Sequence, residues 1–385
     1  MAANVQSKNN DSYHNLGGGI SFSMMKNESL LIIAAVLALV SMFFASSDVV
    51  YSEHVDLKVI VLLFCLMACV AGLNESGVFQ SLFSKLTAKT VSVRKLSLML
   101  ILVCFFSSMV ITNDITLITF VPLTMMFLKC IGSRRVIFII VMETIAANLG
   151  SIVTPMGNPH NIFLYSYYDM SLETFLSTII PFAVFSFILI VITVLLLKDY
   201  KIDASITYTD KRPDKLKTAK YVILFIISIL AVINVIDYVV CLLLVLIVLL
   251  LTDRSVFRKV DYSLLLTFVF FFIFSANIGS IEEINHYIVQ TIEGRELATS
   301  ILLSQVISNV PTAVMLAPFT SNGIGLLVGT NLGGLGTPIA SLASLISYRL
   351  YTTLRRNEKI DYLKTFFVLN ISFLLILIVF ATIIM

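Results

Sequence analysis

Two polar strings, each set inside a long apolar stretch, recur in the same order in the two halves of this chain and restrict its fold more than any other feature. Val110–Thr124 reads VITNDITLITFVPLT and Val306–Thr320 reads VISNVPTAVMLAPFT, with Val, Ile, Asn, Thr, Pro and Thr in the same columns. A second echo follows each copy. Asn148–Asn158 reads NLGSIVTPMGN and Asn331–Ser341 reads NLGGLGTPIAS. Two matches in one order point to an internal duplication.

The setting of these strings decides the class of protein. With 58% hydrophobic and 13% charged residues, against roughly 25% charged in soluble domains, the chain reads as an all-α polytopic membrane protein. Runs such as Leu30–Ala45, Val59–Ala71, Phe175–Leu197 and Phe366–Met385 approach the length of a helical crossing. The expected surroundings are therefore a lipid bilayer, in a cell membrane, and not nucleic acid. The five Cys residues lie in or beside apolar segments, where a thiol serves as a small hydrophobe. Residues 1–27 are polar and lack a continuous apolar core, so a disordered cytoplasmic leader is expected.

The first half is read as residues 28–198. Its hairpin, 96–128, has two apolar arms parted by Thr112, Asn113 and Asp114, and basic residues bracket the pair. Both ends then lie on one side of the membrane, and the polar tip dips towards the midplane as a re-entrant loop. Non-helical backbone at that depth must be covered by protein or line a wet cavity. A broken helix, 136–165, follows, interrupted by Gly150, Thr154, Pro155, Gly157, Asn158 and Pro159. Proline removes a backbone donor and clashes with the turn before it, which frees carbonyls and amides. Leu73–Lys95 has the spacing of an interfacial amphipathic helix.

A charged linker, 199–219, leads to the second half, 220–385. Tyr221–Leu251 is too long for one crossing and carries Asn234 and Asp237 near its centre, so two short helices are expected. The second hairpin, 297–320, has arms of about 16 Å at 1.5 Å per residue, too short to cross about 30 Å of hydrocarbon. The second broken helix is 324–351. With the amino terminus cytoplasmic and the carboxy terminus outside, only Lys58 and Arg295 among the 26 Lys and Arg lie outside, a strong positive-inside pattern. Five crossings then separate the hairpins, so the repeats are inverted. The expected architecture is two inverted repeats with about nine full transmembrane helices, two of them broken, and two re-entrant hairpins.

Paired re-entrant hairpins and paired breaks are marks of a secondary transporter, whose site forms at the midplane where the repeats meet. The candidate substrate and ion residues are Thr112, Asn113, Asp114, Asn148, Thr154, Pro155, Gly157 and Asn158 in the first half. Ser308, Asn309, Thr312, Asn331, Gly333, Thr337 and Pro338 are their counterparts in the second. Hydroxyl and amide side chains offer neutral donors and acceptors, and Gly and Pro let main chain line the cavity. Asp114 is the sharpest single residue, because a carboxylate deep in a membrane usually marks an ion path or proton relay. The structural alternative is a cap that accepts amides from Thr116 or Leu117. Glu143 and His160 are candidates for a proton-linked role, with a paired structural acid and a hydrogen-bonded structural His as their alternatives. Sodium, if used, is expected near Asn113, Asp114 and Asn309. No Lys or Arg is expected at the site. No HEXXH, GXSXG or P-loop pattern occurs, so neither an enzyme nor an ATP-driven pump is indicated.

The tips TND and SNVPTA, each followed by NLG and TP, resemble the ion-transporter superfamily, which includes citrate, arsenite and sodium/proton carriers and the divalent-anion:sodium symporters. The resemblance covers nearly the whole chain from about Glu28. Both tips of the dicarboxylate symporters read Ser-Asn-Thr, whereas this chain has Thr112, Asn113, Asp114 and Ser308, Asn309, Val310. An acid after the first Asn, together with GNPHN at Gly157–Asn161, looks more like the arsenite-permease and sodium/proton branch. The resemblance implies a permease for a small anion or oxyacid, of the citrate/dicarboxylate or arsenite type, working by alternating access. Its only cofactor would be the coupling ion, sodium or proton. A sodium/proton antiporter is the alternative. The resemblance also leaves a homodimer open, since related carriers often form one.

Overall fold

A computed structural model describes residues 28–45, 51–79, 81, 92–128, 131–199 and 213–385. The expected leader, most of the linker, and residues 80 and 82–91 of the expected interfacial helix at 73–95 lie outside the described residues. Every regular element of length is helical. Among the described residues five helices are long and apolar enough to cross a membrane: Leu57–Glu75, Ser133–Val153, Leu172–Leu195, Tyr262–Gly279 and Arg356–Ile384.

In chain order, α1 (Glu28–Met42) and α2 (Leu57–Glu75) precede a hairpin of α3 (Val93–Ser108) and α4 (Asn113–Phe127). Next comes α5 (Ser133–Gly150), which gives way to two short 3-10 turns before α6 (Pro159–Tyr167), and then α7 (Leu172–Leu195). Helices α8 (Lys215–Val232) and α9 (Tyr238–Thr252) follow. Their turn contains Asn234 at φ +61°, and Asp237 caps α9 through Val239 N at 2.8 Å. Tyr221–Leu251 is therefore two helices. After α10 (Tyr262–Gly279) and α11 (Glu282–Ile292) comes a second hairpin, α12 (Glu296–Ile307) and α13 (Asn309–Leu316). A second interrupted pair, α14 (Gly323–Gly333) and α15 (Leu342–Leu354), leads to α16 (Lys359–Ile384).

Around a buried apolar core, the outer helices also turn apolar side chains outwards. Ile32, Val36 and Leu39 on α1, Val184, Ile188 and Ile192 on α7, and Leu375, Val379 and Ile383 on α16 are exposed. Their three- and four-residue spacing gives each helix a lipid-facing stripe. Polar groups concentrate inside: Glu143, His160, Asn161, Thr312 and Ser344 are fully buried.

Packing is alike around the two hairpins. In each half the first hairpin arm lies on the helix before the break, α3 on α5 and α12 on α14. The second arm packs within its own half and also reaches the other. Helix α4 packs against α15, and α13 packs against α6. Gly150 shows how tight the first of these contacts is, since a Cβ there would sit 2.0 Å from the Phe105 carbonyl oxygen.

Candidate functional site

The helices that start at the two tips and after the two breaks share a defect. Thr112, Asn158, Ser308 and Ser341 precede α4, α6, α13 and α15, and none of the four gives its helix a side-chain cap. Of the other helices, α2, α3, α7, α8, α9, α10 and α14 are capped by a side chain, as α2 is by Asp56 and α10 by Asp261, whereas α5, α11, α12 and α16 also start without one. Four uncapped N-termini at the centre leave donors and positive dipole ends available to a guest.

Asparagines tie this centre together. Asn113 Nδ2 donates to Asn148 Oδ1 at 2.9 Å, joining the first tip to the first break. Asn148 then reaches the other half, donating to Ser344 Oγ at 3.2 Å and accepting from Ser341 Oγ at 3.0 Å. Asn331 does the same in reverse. Its Nδ2 donates to Asn161 Oδ1 at 2.8 Å, and its Oδ1 lies 3.2 Å from His160 Nε2. In the duplicated register Asn148 matches Asn331 and Asn161 matches Ser344, so one bond is made twice, once in each direction.

A second pair of bonds repeats in the same way. Thr154 Oγ1 donates to the Met109 carbonyl at 2.5 Å, and Thr337 Oγ1 donates to the Gln305 carbonyl at 2.9 Å. Both threonines anchor the break to the end of the first hairpin arm. Pro155 and Gly157 form the 3-10 turn after Thr154, and Asn158 Nδ2 donates to Ser151 Oγ at 2.6 Å. In the second half, Thr312 Oγ1 donates to the Ser308 carbonyl at 2.8 Å, and Asn309 N donates to the Ala340 carbonyl at 2.9 Å. Gly333 ends α14, and Pro338 lies half-buried in the stretch before α15.

Asp114 stands differently from the rest. Its backbone N–H is taken by Asn113 Oδ1 at 2.9 Å, and among the described residues no hydrogen bond reaches its carboxylate, from Thr116, Leu117 or elsewhere. Thr112 and Asp114 instead line a cavity of about 150 Å³ whose wall includes Leu66, Ile115, Pro159 and Ile346. Arg258, Lys259 and Asp261 line it as well. Basic residues are therefore present at the site, contrary to the reading from sequence. They arrive on the loop between α9 and α10, far from either motif in the chain. Lys259 is ion-paired with Glu75, and Lys217 binds both Glu75 at 2.8 Å and Asp253 at 2.9 Å.

Glu143 is not part of this assembly. It accepts from Thr124 Oγ1 at 2.5 Å, and its Oε2 has no hydrogen-bond partner among the described residues. Thr124 lies ten residues beyond Asp114 on α4, about 15 Å along a helix. His160 is in the centre and fully buried, with no hydrogen-bond partner for Nδ1 among the described residues. Sequence reasoning missed Ser341, Ser344, Arg258 and Gln305. Only their register opposite the first copy pointed to the two serines.

Comparison with known proteins agrees with the membrane architecture. Residues 22–323 match the family described as Citrate transporter. The chain is 32% identical over 300 residues to an uncharacterized transporter of Methanocaldococcus jannaschii, covering 77% of this chain and 81% of that one. It is 29% identical over 306 residues to the inner membrane protein YbiR of Escherichia coli, covering 77% and 80%. A shorter match, 29% identical over 153 residues, covers 39% of this chain and 30% of the silicon efflux transporter LSI3 of Oryza sativa subsp. japonica.

Proposed function

Because the chain belongs to the citrate transporter family, within the ion-transporter superfamily, we propose that this multi-pass membrane transporter is a secondary carrier of a small anion or oxyacid. Its movement is coupled to sodium or protons by alternating access. One observation carries the reading: two hairpin tips and two helix breaks converge, each half completing the other's polar bonds around four uncapped helix N-termini. Uncapped N-termini favour anionic groups, and carbonyls freed at a break favour cations.

The reciprocal bonds support two inverted repeats. Nine crossings follow, namely α1, α2, α5 with α6, α7, α8, α9, α10, α14 with α15, and α16. The amino terminus is then cytoplasmic and the carboxy terminus outside. Arg258 and Lys259 sit at the cytoplasmic mouth of the cavity, where they attract anions. Asp114 takes the coupling ion, because it faces the cavity and Glu143 does not.

Transport by the purified protein in proteoliposomes tests the reading. Labelled citrate, succinate, arsenite and silicic acid are offered under imposed sodium or pH gradients. Saturable, gradient-driven movement and counterflow of one of them is expected. Sodium-for-proton exchange with no movement of any anion or oxyacid overturns it in favour of an antiporter.

A further inference from the structure

The second break is filled by a side chain that the first break lacks. Gln305 lies near the end of α12, beside the second tip. Its Nε2 donates to three carbonyls, those of Ile301 at 3.1 Å, Gly333 at 2.9 Å and Leu335 at 3.0 Å. Its Oε1 accepts from Thr337 N at 2.9 Å. An amide nitrogen has two hydrogens, so three carbonyl oxygens share one electropositive centre. Carbonyls released by a broken helix meet in that manner when they surround a small cation.

The local backbone is shaped to this amide. Gly336 has φ +105°, and a Cβ there would lie 2.2 Å from Gln305 Oε1. Ser308, at the tip itself, is held at φ +76° and ψ 155°, a conformation that residues with a side chain rarely adopt.

The first half offers the opposite complement. The position matching Gln305 is Met109, whose carbonyl accepts Thr154 Oγ1 as Gln305's accepts Thr337 Oγ1, but whose side chain has no N–H. Where the second tip has Val310, the first has the carboxylate of Asp114. One half carries a carboxylate with no hydrogen bond among the described residues, and the other carries a donor already fully engaged.

We infer that the Gln305 amide occupies, as a neutral surrogate, the place at the second break that a cation would take. The carrier then has one cation site, at the first tip, and none at the second. The count of one rests on the coupling role proposed above for Asp114; the occupancy of the second break does not.

Thermal unfolding of the full-length protein in detergent tests this, with sodium chloride compared with choline chloride at equal ionic strength and alkaline pH. The buried cysteines provide the signal through a thiol-reactive dye. Asp114→Asn, with Gln305 intact, should show no saturable sodium-dependent rise in melting temperature. Adding Gln305→Glu points a carboxylate at the same carbonyls, and a sodium-dependent rise of several degrees should appear. A saturable sodium effect in Asp114→Asn alone overturns the inference. So does a folded Asp114→Asn/Gln305→Glu protein that ignores sodium. The single variant decides the matter even where the double variant does not fold. A wild type that ignores sodium, paired with a responsive Gln305→Glu variant, supports the surrogate role while removing sodium from the first tip.

Discussion

Asn331 donates its side-chain amide to Asn161 at 2.8 Å, fastening the break of one half to the helix that follows the break of the other. The oxygen of that amide can only accept, so His160 contributes its Nε2 proton across 3.2 Å. Three buried residues are thereby fixed in orientation.

Removing either asparagine strands its partner in the interior. We predict that Asn331→Ala and Asn161→Ala each cost about 1–3 kcal/mol, the desolvation penalty of an orphaned polar group. The double variant should recover part of that loss, with a coupling energy of about 1 kcal/mol. Melting of the four proteins in one detergent gives the cycle, and strict additivity excludes the bond.

Asp114→Asn keeps the size and polarity of the side chain and removes its charge. Coupled transport should fall to background, while expression and melting temperature stay near wild type, because the carboxylate holds no hydrogen bond among the described residues. Full activity in this variant removes Asp114 from the mechanism.

Gly150→Ala tests the packing of α3 on α5. Its Cβ would meet the Phe105 carbonyl oxygen at 2.0 Å and Ser108 Oγ at 2.5 Å, and overpacking against rigid backbone costs about 1–3 kcal/mol or more. Folded yield should drop sharply. Gly132→Ala is the control, with nothing within 4 Å of the added carbon, and its yield should match wild type.

At the end of α9 outside the membrane-spanning segment, burial works against ionisation of Asp253. Hydrogen bonds from Ser255, Lys217 and Tyr221, with the Lys217 charge, nevertheless hold its carboxyl down at about 2, from an ordinary 3.8. A depressed carboxylate stabilises the fold above its unfolded pKa and loses that contribution as pH falls through its folded pKa. Asp253→Asn should therefore melt below wild type at neutral pH. The gap should close as the pH is taken from about 4 towards 2, and a gap that does not change with pH excludes the ion pair as its source.

Much of this architecture is legible in the chain because the apolar background makes every polar or helix-breaking residue conspicuous. Thr112, Asn113, Asp114 and the Gly and Pro residues of the breaks stand out for that reason, and Asn234 with Asp237 marks the turn between α8 and α9. Arg258 and Lys259 do not, since a loop basic residue looks the same whether it meets water or a cavity mouth. Gln305 is hidden in another way. A single amide in a hairpin arm gains meaning only when the carbonyls of Gly333 and Leu335 are brought beside it, which is a matter of tertiary approach and not of local spacing.

The exchange of bonds between Asn148 with Ser344 and Asn331 with Asn161 has the form of an isologous contact, in which position i of one partner meets j of the other and j meets i. That is the rule of a symmetric dimer interface, written here within a single polypeptide. Its consequence is that neither half has a finished interior of its own.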